Sequence, residues 1–443
     1  MRPDPLRTRH GLAPGARAPR GTLAGVLAAF LLAGPLAASA WAAAPAAVLD
    51  HYIPDRYIVV FYDSVARPRD AAQDLSRRHG LTPLYVYEHA IKGFAAQIPA
   101  TALAAIARDP RVEFISEDRV VVAFQETLPT GVNRINAENK TNTGLGVQVA
   151  VVDTGIDLTH PDLQANILGG KNCSTGKSYA DGNGHGTHVA GTIAARKNND
   201  IGVVGVAPEA LLWSVRVLNN AGSGSWSSVI CGIDFVDSKS PARGGSIVVA
   251  NMSLGGSGAD DGNCGLTNSD ALHKAICRAV KDGVTFAVAA GNSGVDLKGF
   301  VPAAYNEVIA VTALGDSDGR PCGTGVPTSY SADDTFASFS NYATLPEDLG
   351  RVLAAPGVSI LSTWRGGGYN TISGTSMASP HVAGAAALYL ATHPFATPAS
   401  VREALRAAAE LPNVSFAGEC GTGASHIDLS GKHPEPVVRA DGL

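Results

Sequence analysis

The segment Gly146-Val147-Gln148-Val149-Ala150-Val151-Val152 limits the possible folds more than any other stretch of this chain. It is apolar almost without interruption and delivers Asp153-Thr154-Gly155 at its end. A strand with one wet face alternates polar and apolar residues, whereas an unbroken run belongs to a strand covered on both faces, the habit of parallel sheets. Leu211–Leu218, Ser246–Gly256 and Thr285–Ala290 read the same way, and helical stretches of small residues lie between them and after them. This alternation predicts an α/β unit with a mainly parallel sheet and helices on both faces. With 45% hydrophobic and 16% charged residues, the chain can bury the large core such a unit needs.

In open α/β sheets the chemistry sits beyond the carboxyl ends of the strands. Asp153 stands at one such end, and Asn292 follows another, in Ala289-Ala290-Gly291-Asn292. Asp181-Gly182-Asn183-Gly184-His185-Gly186-Thr187-His188 is a glycine-rich loop entering a helix, with His185 at its mouth and His188 one turn inward. Gly374-Thr375-Ser376-Met377-Ala378-Ser379-Pro380-His381 delivers Ser376 to the start of another helix, with Pro380 expected in the first turn. Taken singly, each residue reads as a turn or a cap. The two histidines lack the H-E-x-x-H spacing of a zinc pair. Together, a hydroxyl, an imidazole and a carboxylate make the set that acyl transfer needs. Asn292 and the backbone N–H of Ser376 can bind the oxyanion. An esterase of the α/β-hydrolase type would need G-x-S-x-G and the opposite chain order.

Ahead of this unit lie two other segments. Arg2, Arg7, Arg9, Arg17 and Arg20 precede an uncharged run that is most apolar from Leu23 to Leu32 and ends in Ala-rich sequence. Residues 1–44 therefore read as a secretory signal peptide. Without its five arginines and one aspartate, the formal charge moves from −5 to −9, with no basic stripe for nucleic acid. Residues 45–124 carry the order β-α-β-β-α-β of a small ferredoxin-like α+β domain, with separate final extended segments at Val112–Ile115 and Arg119–Val122. The cysteines Cys173, Cys231, Cys264, Cys277, Cys322 and Cys420 are even in number, which in an exported chain favours disulfides. Six cysteines allow fifteen pairings. Cys264 with Cys277 closes the shortest loop, and Cys173 with Cys231 and Cys322 with Cys420 are the next pairs to try.

Val152-Asp153-Thr154-Gly155-Ile156-Asp157, His185-Gly186-Thr187-His188-Val189-Ala190-Gly191 and Gly374 to Gly384 resemble the three signatures of the subtilisin-like serine proteases. The resemblance implies the family's three-layer α/β fold over residues 125–431 and a secreted serine endopeptidase with the triad Asp153, His185 and Ser376. It makes residues 45–124 an inhibitory propeptide and folding chaperone, cut off by the enzyme itself between Phe124 and Gln125. Ser253, Leu254, Gly255, Ala289, Ala290 and Gly291 become the walls of the main specificity pocket, whose small uncharged lining would favour large apolar residues before the scissile bond. Gly222, Ser223 and Gly224 become the edge that pairs with extended substrate, and Trp226 an outer-pocket aromatic. A structural Ca²⁺ is implied at Asp162 and Glu126, with the loop residues Asn199, Ile201 and Val203; Asn198 and Asp200 compete with Asn199 because the loop is one residue longer than usual.

The resemblance further implies a monomer acting on polypeptides, with no nucleic acid and no stable membrane association. It would be extracellular, periplasmic or at the cell surface. Two segments, Ser257–Asn268 and Asp316–Phe336, exceed the family pattern and read as surface loops stapled by cysteines. Residues 432–443 read as a short disordered tail. Oxidation of Met377 beside the nucleophile should impair turnover. The competing reading is a silent relative that binds peptides without cutting them.

Overall fold

The computed structural model describes residues 52–119, 126–138, 140–428 and 430–443. The signal peptide expected over 1–44 and the cut expected at Phe124–Gln125 lie outside these residues. In the N-terminal domain, strands Tyr52–Phe61, Pro83–Tyr87, Lys92–Gln97 and Val112–Arg119 alternate with helices Pro68–His79 and Ala100–Ile106 in the expected order. The sheet is antiparallel, with the first strand between the third and the fourth. One strand runs from Val112 to Arg119, longer than the expected segment Val112–Ile115, and pairs with the first strand; the second expected segment, Arg119–Val122, lies outside the described residues after Arg119. Val59, Phe61, Leu75, Phe94, Ile98 and Ile106 form its core.

The larger unit is built on an eight-stranded sheet. Its strands run in the order Thr335–Phe336, Ile309–Gly315, Thr285–Ala289, Ile247–Met252, Gln148–Asp153, Leu211–Arg216 and Ile167–Asn172, and Val352–Pro356 also pairs with Ile309–Gly315. All these pairings are parallel except that of Thr335–Phe336. The strand Gln148–Asp153 lies third from the Ile167–Asn172 edge and is buried from Val149 onward, as its unbroken apolar run requires. Side chains from its two faces enter two separate cores. Val149 and Val151 join the core under the helices His185–Ala194 and Thr375–Thr392; Ala150 and Val152 join the one under Trp226–Ser238 and Ala271–Lys281. This is the three-layer α/β arrangement.

All three cysteine pairs are bonded: Cys173–Cys231, Cys264–Cys277 and Cys322–Cys420. Two expectations need correction. Residues 432–443 do not trail away: Val437 and Val438 are buried, Val437 bridges to both Ala354 and Glu410, and Ala440 N–H donates to the Ile135 carbonyl at 2.8 Å. The segment 316–336 is no mere surface loop, since Asp316, Asp333 and Asp334 are buried. Composition misleads here because these residues are polar, and the partner of buried Asp334, Arg134, lies 200 positions away. Arg134 is the hub. It donates to Asp334 at 2.6 Å and to both Glu410 oxygens, and Glu410 also accepts from His426 and Arg439.

Candidate active site

Asp153, at the last position of its strand, is fully buried. Its Oδ1 accepts from His185 Nδ1 at 2.8 Å and from Thr154 N–H at 2.7 Å. His185 is the first residue of its helix, with a side chain 25% exposed. Burial lowers its pKa, but the charge and hydrogen bond of Asp153, helped by Asp181, outweigh that and leave it raised. A proton held at Nδ1 by Asp153 leaves Nε2 of the neutral ring as the basic atom.

Asp181 locks the two pieces together. Its Oδ1 accepts from Thr154 Oγ1 and from the N–H groups of Asn183 and Gly184, and its Oδ2 accepts from Thr187. Thr154 Oγ1 in turn accepts from Gly186 N–H at 2.9 Å. This carboxylate holds the His185 loop to the Asp153 strand end. Only its place at the head of the glycine-rich loop hinted at such a role. His188 is separate from this chemistry. Burial pushes it down to about 3, and Nε2 faces the carbonyls of Ile360 and Asn370, so it is a neutral packing residue.

Ser376 is the second residue of the helix Thr375–Thr392. Pro380 lies in the second turn, not the first as expected. Its missing N–H would have served the carbonyl four residues back, that of Ser376. Ser253 Oγ fills the gap, donating to that carbonyl at 2.8 Å. Asn251 Nδ2 donates to Ser253 Oγ at 3.0 Å, and Ser379 Oγ donates to Asn251 Oδ1 at 2.8 Å. Ser376 Oγ donates to the Ser253 carbonyl at 3.4 Å, and among the described residues it has no hydrogen bond to His185.

Asn292 reaches the same helix start. Its Oδ1 accepts from both N–H and Oγ1 of Thr375, at 2.9 Å each, which leaves Nδ2 free to donate. Thr375 Oγ1 also accepts from Gly291 N–H at 3.1 Å. A Cβ on Gly374 would lie 3.5 Å from Asn292 Nδ2 and 3.7 Å from Ser376 N. The missing side chain therefore keeps open the space that both donors face.

A cavity of about 840 Å³ runs from His185 along Gly222, Ser223, Gly224 and Trp226 to Ser253, Leu254 and Gly255. Trp226, 39% exposed, begins a helix capped by Ser225. The expected wall of Ala289, Ala290 and Gly291 is not part of this lining: all three are buried. Ala289 ends a strand buried along its whole length, and Gly291 is covered by Asn341, whose Nδ2 a Cβ there would meet at 2.5 Å, and by Phe300. A Cβ on Gly255 would lie 2.4 Å from Phe300 Cε1, and one on Gly291 would lie 3.0 Å from its Cδ1 and Cε1, so the ring packs against both glycines.

Asp162 is also fully buried, and burial pushes it up to about 6. Its Oδ1 accepts from Asn199 Nδ2 at 2.8 Å and its Oδ2 from Val203 N–H at 2.9 Å. Of the three competing loop residues, Asn199 faces it, while Asn198 and Asp200 take positive φ values that bulge the loop. Glu126 accepts from Asn199 N–H at 3.4 Å. The donor set fits a hard cation: every group is oxygen-bearing, and Asp162 is a carboxylate that burial disfavours as an anion.

Residues 144–423 match the subtilase family, and residues 56–123 match the peptidase inhibitor I9 family. The chain is 41% identical over 335 residues to Subtilisin NAT of Bacillus subtilis subsp. natto, covering 74% of this chain and 77% of that protein. It is 36% identical over 364 residues to a cuticle-degrading protease of Metarhizium anisopliae, covering 79% and 83%. The crystal structure of a cold adapted subtilisin-like serine proteinase superposes with a TM-score of 0.54 at 33% identity, covering 70% of this chain and 97% of the other.

Proposed function

The chain belongs to the subtilase family, and from that premise we propose that Asp153, His185 and Ser376 are its catalytic triad and Asn292 its side-chain oxyanion donor. Its class as a subtilisin-like serine protease preceded by an I9 propeptide domain is shown by the family matches. The reading of the site rests above all on the Asp153–His185 hydrogen bond, which fixes the imidazole tautomer a general base needs.

Substrate lies extended along Gly222-Ser223-Gly224, and the carbonyl to be attacked enters between Asn292 Nδ2 and Ser376 N–H. The Ser376 hydroxyl leaves the Ser253 carbonyl for His185 Nε2, which takes its proton as Oγ attacks. Catalytic hydrogen bonds often tighten only in the loaded site. The imidazolium is stabilised by Asp153 and returns the proton to the leaving amine; water then repeats the cycle on the acyl-enzyme. Specificity favours apolar residues before the scissile bond, with the Phe300 ring setting the depth of the pocket. Glu126, Asp162, Asn199 and the carbonyls of Ile201 and Val203 would hold a calcium ion, which supplies a cross-link between loops and no catalytic step.

The domain limits in this reading are 1–44 signal peptide, 45–124 propeptide and 125–443 peptidase, the last extended past 431 because Val438 and Ala440 join its core. Secretion is supported by the three disulfides. No helix of the described residues is long and apolar enough to cross a membrane. The test is Ser376→Ala in the full chain. It should abolish casein cleavage and leave the propeptide attached, while the unaltered protein acquires Gln125 as its N-terminus. Propeptide release by the variant would overturn the reading.

A further inference from the structure

Beyond the catalytic cleft and the Asp162 loop, one cluster of carboxylates holds a buried oxygen with no donor among the described residues. Asp316, Asp318 and Asp333 each bring a carboxylate oxygen within 4.8 Å of the others. Asp316 directly follows the strand Ile309–Gly315 and is only 2% exposed. Its Oδ1 accepts from Gly319 N–H at 3.0 Å. Its Oδ2 is buried and has no donor among the described residues. The other two carboxylates are oriented by the loop itself. Asp333 accepts from Ser317 N–H and Oγ and from Gly325 N–H, and Asp318 accepts from Arg320 N–H and Thr324 Oγ1.

A carboxylate oxygen without a donor in a buried site is costly, and two more carboxylates beside it make it costlier. Burial pushes Asp316 up to about 8, with Asp334, Asp333 and Asp318 adding to the rise and Arg134 opposing it. Arg134 is the cation in that list, and its guanidinium is already engaged by Asp334 and Glu410. Two outcomes can relieve the strain: Asp316 keeps a proton that has no acceptor, or a metal ion takes the centre.

We propose that Asp316, Asp318 and Asp333 bind a calcium ion, at a site separate from Asp162, that closes the inserted segment 316–336 onto the end of the sheet. The donors are all oxygen, with no nitrogen or sulfur to favour zinc. Three carboxylates on an irregular loop suit the flexible, six-to-eight-oxygen shell of calcium better than the strict octahedron of magnesium. The ion supplies the positive charge that Asp316 Oδ2 lacks. It also fixes the segment that carries Asp334 to Arg134 and Cys322 to Cys420.

The test does not depend on catalysis, because it is run on full-length Ser376→Ala protein, which would not digest itself. Metal-stripped protein is loaded with calcium, and bound ions are counted by equilibrium dialysis. Asp316→Asn and, separately, the half-buried Asp318→Asn should each bind one ion fewer than the parent. Asp162→Asn should lose a different ion, so the Asp162/Asp318 double variant loses two. The proposal is overturned if Asp316→Asn and Asp318→Asn both keep the parental count. It is equally overturned if the parent binds no calcium and Asp316→Asn is simply more heat-stable in chelator, which would mean that Asp316 carries a proton. Should Asp316→Asn fail to fold, the count for Asp318→Asn decides.

Discussion

Around Ser376 the polar side chains are mostly uncharged and are joined by hydrogen bonds between neutral groups: Ser379 with Asn251, Asn251 with Ser253, Ser253 with the Ser376 carbonyl, Thr375 with Asn292. Around Arg134 the buried groups are charged and shared. Glu410 alone meets Arg134, His426 and Arg439, while Arg439 also meets Glu419 and Asp441. The first region sits on strand ends and helix starts, so regular backbone sets its geometry and neutral hydrogen bonds trim it. The second joins irregular segments from residues 134, 334, 410, 426 and 439, where charge stands in for secondary structure. Neutral pairs are cheap to lose one at a time, whereas a buried charge stripped of its partner is not.

That difference can be broken by substitution. Arg134→Ala leaves Asp334 and Glu410 buried with one cation fewer, and unfolding in denaturant should show a loss of about 3–5 kcal/mol. A loss under about 1 kcal/mol would mean that the charged region contributes no more than a surface pair. Asn292→Ala should leave stability nearly unchanged and reduce kcat; the recorded loss for a subtilisin's own oxyanion asparagine is roughly 10²–10³-fold. A fall in KM-based affinity with kcat intact would remove Asn292 from the oxyanion site.

Ser253→Ala orphans the Ser376 carbonyl and should cost about 1–2 kcal/mol, read as a loss of kcat or of melting temperature. Pro380→Ala restores an N–H four residues on, so the double variant should recover part of that loss; strict additivity would contradict the pairing. The smallest effect concerns pH. The His185 pKa is raised above its ordinary 6.5, and the base works only when neutral, so kcat/KM should fall as pH drops through that raised value. Asp153→Asn should move the inflection downward, besides its large loss of rate. An unmoved inflection would show that another group sets the acid limb.

Much of this was legible in the chain because it rests on local rules. Unbroken apolar runs such as Val149–Val152 gave away the parallel sheet, and the glycine-flanked Asp153, His185 and Ser376 gave away their loops. Loop length pointed to Cys264–Cys277, and the two pairs tried next without such a ground, Cys173–Cys231 and Cys322–Cys420, are also those the structure bonds. What escaped depends on distant partners. The Phe300 ring between Gly255 and Gly291 has no sequence signature, since phenylalanine in an apolar segment is ordinary. Pro380 was misplaced by one helical turn because the helix start, at Thr375, precedes the apolar run that marks the helix in sequence. The terminal segment Lys432–Leu443 looked disordered because polar, proline-bearing composition says nothing of its partners Ala354, Glu410 and Ile135, which lie far away in the chain.

That last contact has a kinetic side. Ala440 pairs with Ile135, and Asp441 with Asn136, across a separation of 305 residues. The peptidase unit is thus a ring whose clasp joins its two extremities, laid over a parallel sheet that is itself assembled from non-neighbouring strands. Contacts of such long span reward the chain only after the entropy of closing every intervening loop has been met, which makes unaided folding slow. The domain that matches I9, with a core of its own, precedes this late-closing unit in the chain.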